Sequence, residues 1–137
     1  MSQENVEVVR RLIDSFQRGD LERPFELMHT DIEWDASRIP GLMGAAGIHR
    51  GHEGVRTFWQ EWLAAWRDLE FQIEDLRDAG DDVVLLISDQ RQWGRQSGIA
   101  TRFPPYAQVF TVHNGKVVRW RNFPDQREAL KAVGLEE

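Results

Sequence analysis

A chain of 137 residues, 41% hydrophobic and 29% charged, fits one soluble globular domain spanning residues 1–137. It contains no cysteine, which excludes disulfides and thiolate metal sites, and its net charge of −6 argues against nucleic acid as a partner. The opening MSQENVEVVRR lacks the apolar core of a signal peptide and no run approaches the ~18 residues of a membrane span, so no membrane association is expected and a cytoplasmic location is the default.

The first helix is predicted over Gln3 to Arg18, with Ser2 as N-cap and Val6, Val9, Leu12, Ile13 and Phe16 as its apolar stripe. Gly19 suits a left-handed stop, and Asp20 caps a short second helix with Pro24 in its first turn and Leu21, Phe25 and Met28 on one face. Ile32 to Ser37, IEWDAS, reads as a strand. Ile32 and Trp34 share one face, and Glu33 and Asp35 share the other. Alternation fixes this relative facing and leaves open which pair points inward.

A glycine-rich loop follows from Arg38 to Gly51, suited to covering a cavity mouth. In the third helix Val55, Phe58, Trp59, Trp62, Leu63 and Trp66 recur at helical spacing; such an aromatic stripe is core and can also wall an apolar pocket. Trp59, Trp62 and Trp66 are each expected to be at least half-buried.

Everything after Arg67 reads as antiparallel strands. Leu69, Phe71 and Ile73 alternate with acids and Gln72; Ala79 to Asp82 turns into a long strand, Val83 to Trp93; Gly94 to Gly98 turns back into a strand ending near Val112. Asn114-Gly115 is a hairpin signal before a last strand, Lys116 to Phe123, and Asp125 caps a short final helix that stops at Gly134. Charge is uneven along the chain. Residues 1–90 carry 19 acids and 9 bases, residues 91–137 carry 4 acids and 8 bases, and no Asp or Glu stands between Asp89 and Asp125. This basic stretch is either a solvated sheet face or a patch that meets an acidic surface or an anionic ligand.

Helices early and strands late argue an α+β fold: three N-terminal helices on a strongly bent antiparallel sheet, with a short C-terminal helix and a conical pocket at the open end. The element order, with "FQRGDLE", "HTDIEW", "RGHEGVRTFW" and "HNGKVVRWRNF", resembles the NTF2-like superfamily and within it the SnoaL-like, polyketide-cyclase-like group. The resemblance covers nearly the whole chain. It implies a cone with an apolar pocket, commonly a homodimer through the outer face of the sheet, and leaves the activity open because the scaffold carries enzymes and binders alike.

More distantly the chain is similar to ketosteroid isomerase. That likeness places the general base on Asp35, puts Leu12 where a donor tyrosine would stand, and puts Gln108 where a protonated acid would stand. Asp35 is therefore the candidate catalytic residue, with Glu33, Trp59, Tyr106, Gln108, Trp120 and Asn122 as substrate-binding candidates. Tyr106 shares a strand face with Gln108 and can supply a hydroxyl; Trp120 and Asn122 would line the same cavity. The acid that polyketide cyclases use near the end of the last strand has no counterpart before Asp125, and the arginine and two aspartates of the epoxide-hydrolase branch are incomplete around Asp89 and Arg91.

His29, His49, His52 and His113 lack metal-ligand spacing, and no P-loop, dinucleotide fingerprint or Ser/Cys nucleophile setting occurs, so no metal and no cofactor are expected. Trp93 belongs either to the pocket or to a dimer interface. Two functions stay open: cofactor-free proton transfer on a small apolar molecule (isomerase, cyclase or hydratase type) with Asp35 as base, or a non-catalytic small-ligand-binding or dimeric accessory domain.

Overall fold

A computed structural model describes residues 2–38 and 47–135. The Ser2 side chain and the loop glycines Gly41 and Gly44 fall outside what is described. The described elements are α1 (Ser2–Gln17), α2 (Arg23–Glu26), β1 (Met28–Asp35), β2 (Ile48–Arg50), α3 (Gly51–Ala65), β3 (Trp66–Ala79), β4 (Asp82–Gly94), β5 (Ala100–Phe103), β6 (Tyr106–His113), β7 (Lys116–Phe123) and α4 (Gln126–Ala132). None of the helices is long and apolar enough to cross a membrane.

Local chemistry sets many of the boundaries. Gly19 takes φ +81° and ends α1, and the Asp20 carboxylate then accepts hydrogen bonds from the Glu22 and Arg23 amides at the start of α2. Asn114 and Gly115 both adopt positive φ, as a tight hairpin between β6 and β7 requires. The Asp125 side chain accepts from the Arg127 amide and caps α4. Three boundaries differ from expectation. Met28 opens β1 instead of closing α2, because α2 is a single turn. Trp66 turns extended at the end of α3 and leads directly into β3. The strand expected to end near Val112 is two strands, parted at Pro104-Pro105, where neither residue has an N–H to give the ladder.

The strands form one sheet in the order β2-β1-β7-β6-β4-β3, with β5 also paired to β4. The sheet is mixed, a correction to the fully antiparallel expectation. β1 pairs antiparallel with the short, unforeseen β2 and parallel with β7, because α3 crosses one face and leaves β1 beside the last strand of the meander. Register shifts within β3–β4, near Asp68 (φ 50°), Gln72 and Ile73, mark bulges that bend these long strands. The bent sheet wraps α1 and α3. Val9, Leu12 and Ile13 of α1 and Val55, Phe58 and Trp59 of α3 pack against Ile32, Trp34, Leu85, Phe110 and Trp120 of the sheet. Trp59 is buried, and Trp62 and Trp66 are mostly buried, as the stripe predicts.

The outer face is organised differently. α4 lies on it, and Ala129, Leu130 and Val133 cover Val84, Leu86, Ala107, Val109 and Phe123. Beside this patch the register sets Arg119 opposite Glu33 and Arg121 opposite Asp35, while Arg50 reaches Glu33 at 3.8 Å. The acid-free late strands thus meet the acids of the early half within one molecule. Burial, with Arg119 nearby, pulls the Arg121 guanidinium below its usual value, while Asp82 and Asp35 act in the opposite direction.

Candidate functional site

Between the helices and the concave face of the sheet lies a cavity of about 340 Å³. That volume lies in the range of small-molecule sites. Its walls are aromatic and aliphatic: Phe16 from α1, Trp34 from β1, Phe58, Trp59 and Trp62 from α3, Phe71 from β3, Leu85 and Ile87 from β4, and Trp120 from β7. The rings brace one another. Trp120 sits 4.7 Å from Phe110, 5.9 Å from Trp59 and 6.0 Å from Trp34, centroid to centroid. Thr101, Phe103 and Pro104, from β5 and the proline break after it, border the cavity. Arg102 also borders it, but its guanidinium holds the Asp89 carboxylate at 2.8 and 3.1 Å. That pairing holds the Asp89 carboxyl below its usual value.

Two amide chains supply the polarity. In the first, the Gln108 Nε2 donates to Asn122 Oδ1 at 2.8 Å, and Asn122 Nδ2 donates to the Asp35 backbone oxygen at 3.0 Å. In the second, the Tyr106 hydroxyl donates to Gln90 Oε1, and Gln90 Nε2 donates to Gln92 Oε1 at 3.0 Å. Burial pushes the Tyr106 phenol well above its usual value, so it stays a neutral donor. The buried indole nitrogens of Trp34 and Trp120 and the Gln92 Nε2 have no hydrogen-bond partner among the described residues.

Of the sequence-predicted site residues, Trp59, Tyr106, Gln108, Trp120 and Asn122 come together on this cavity. Glu33 and Asp35 do not. Ile32, Trp34 and Ala36 are the buried residues of this stretch, and Trp34 lines the cavity, so strand alternation turns both carboxylates to the outer face. There the Asp35 carboxylate accepts from the Ser37 amide at 2.9 Å and from the Ser37 hydroxyl at 2.5 Å. The inward facing that the site roles of Asp35 and Glu33 required is corrected accordingly. Asp35 contributes to the cavity through its backbone carbonyl, which anchors Asn122. Neither Trp93 nor His49 lines the cavity; His49 packs behind it, 4.9 Å from the Phe58 ring.

Gln90 and Gln92 were missed, and the reason is a bulge. Val83, Leu85 and Ile87 face inward, so strict alternation would send Asp89, Arg91 and Trp93 inward after them. Across Ser88 the pairing skips a residue, from Ile73↔Ile87 to Gln72↔Asp89, which reverses the parity and brings Gln90 and Gln92 inside. Among the described residues no group of three or more His, Asp or Glu is placed to hold a metal ion.

The SnoaL-like domain profile matches residues 9–120. No curated protein matches the sequence. Among solved structures, the chain is similar to an NTF2-like protein of unknown function from Burkholderia pseudomallei K96243, with a TM-score of 0.78, 21% identity, and 97% and 98% of the two chains covered. It is similar to TerC co-crystallised with polyporic acid, with a TM-score of 0.77, 21% identity and 96% and 98% coverage. It is also similar to a protein of unknown function with a cystatin-like fold from Xanthomonas campestris, with a TM-score of 0.70, 20% identity and 90% and 93% coverage. Identities this low establish a shared fold.

Proposed function

The chain belongs to the SnoaL-like domain family, and from that premise we propose that it binds a small, uncharged, largely aromatic molecule in the cavity of its cone. The observation that carries this is the lining: stacked aromatic walls, two neutral amide chains and a neutral phenol, with no carboxylate or imidazole among the described lining residues and the Arg102 guanidinium paired to Asp89. An ionised ligand would leave its counter-ions behind on entry, whereas a flat neutral one gains apolar contact with several rings. Binding is preferred over proton transfer because a general base must lie within hydrogen-bond reach of the proton it removes. The Asp35 carboxylate is on the other face of β1.

Filling the cavity tests the reading. Leu69 lines it and is only partly buried, so Leu69→Trp is expected to occupy the space with little change in melting temperature. Wild type should show quenching of tryptophan fluorescence by a neutral bicyclic aromatic, and Leu69→Trp should lose it. Equal quenching in both proteins places the ligand elsewhere.

A homodimer through the outer face is part of the same proposal. Ile48 stands 44% exposed on that face, next to Asp35 in the β1–β2 register. Light scattering is expected to give twice the chain mass at tens of micromolar; a monomeric mass overturns the dimer and leaves the cavity reading intact.

A further inference from the structure

The polar end of the cavity specifies more than polarity, because the first amide chain has a fixed direction. Its terminus is the Asp35 backbone oxygen, which can only accept. Asn122 must therefore offer its Nδ2 there and turn its Oδ1 toward Gln108, and Gln108 must meet that Oδ1 with its own Nε2. The alternative Asn122 orientation would set its Oδ1 against the Asp35 carbonyl oxygen and its Nδ2 against the Gln108 Nε2. What Gln108 has left is consequently its Oε1, an acceptor, and one further N–H, a donor, on a side chain that lines the cavity. Asn122, 3% exposed and bonded at both ends, holds this group in place.

We infer that Gln108 is the specificity-determining residue of the cavity and that it selects planar neutral ligands carrying a hydrogen-bond donor adjacent to an acceptor, such as a lactam or a ring hydroxyl beside a carbonyl. This rests on the cavity reading above and narrows it. A fixed carboxamide pairs with such an edge through two parallel hydrogen bonds, as glutamine does with the donor–acceptor edge of adenine. A ligand lacking the edge leaves both Gln108 groups desolvated and unpaired, which is costly in a site walled by Trp34, Phe58 and Trp120. An anionic edge offers only acceptors and leaves Oε1 facing another acceptor. The cavity volume of about 340 Å³ accommodates two fused rings with room for a substituent.

The test is a fluorescence titration of the full chain with four bicyclic probes of matched size. 2-Quinolinone presents donor and acceptor together, quinoline an acceptor alone, naphthalene neither, and 2-naphthoate an anion. 2-Quinolinone is expected to bind about tenfold or more tighter than naphthalene or quinoline, with 2-naphthoate weakest. In Gln108→Leu the 2-quinolinone advantage should vanish while naphthalene binds at least as tightly as to wild type, which also shows the cavity to be intact. Should leucine unfold the protein, Gln108→Met, unbranched and of similar length, carries the same expectation. A flat ranking in wild type, or an advantage that survives loss of the amide, overturns the role of Gln108 and leaves the cavity reading standing. Failure of every probe, naphthalene included, overturns the cavity reading itself.

Discussion

Trp120→Ala is expected to be the most destabilising single change in the cavity wall, at about 3–5 kcal/mol. Trp120 is 4% exposed and meets Trp34, Trp59 and Phe110, so its ring joins β1, α3 and β6 at once. Truncation would merge its volume with the existing cavity, and rigid rings on three sides cannot close over the gap. Urea denaturation monitored by circular dichroism should show a lower midpoint with a similar slope. A loss under about 1 kcal/mol would mean that the aromatic wall relaxes far more freely than these contacts imply.

The second large effect is alkaline. Tyr106 is the only tyrosine in the chain, so phenolate absorbance near 295 nm reports it alone. Its folded pKa is raised by burial, hence the folded state keeps the proton while the unfolded state loses it above about pH 10. The unfolded state then binds fewer protons, and stability falls with rising pH by up to about 1.4 kcal/mol per unit. Below pH 10 the contribution is fully present. Two outcomes are expected: no phenolate signal until the protein unfolds, and a steep alkaline decline in melting temperature that Tyr106→Phe flattens. A free-tyrosine titration in folded protein would show that the hydroxyl reaches solvent and is not held in the Gln90 chain.

Much of the site was legible before any coordinates. The period of Val55, Phe58, Trp59 and Trp62 is a local property of helical geometry, and it placed the aromatic wall correctly. The same holds for the Gly19, Asn114-Gly115 and Asp125 signals, each of which works through the backbone within a few residues. Gln108 with Tyr106 and Trp120 with Asn122 were paired by strand alternation, and both pairs line the cavity.

What only the tertiary structure decided is the absolute side of each strand. The sequence IEWDAS divides Trp34 from Asp35 but carries no local signal for which of them faces the helices. Packing against α3 gave that side to Trp34, because burying an indole among Phe58 and Trp120 is favourable and burying an unpaired carboxylate is not. In β4, the extra residue at Ser88 reverses parity through its pairing with β3, more than ten residues away in sequence, so Gln90 was invisible as a lining residue and Gln92 as its buried partner. The sequence by itself therefore determined most of the elements and, where no bulge intervenes, their relative faces. Long-range pairing chose the inward faces, and with them put the Gln90, Gln108 and Asn122 amides on the cavity in place of the Asp35 and Glu33 carboxylates.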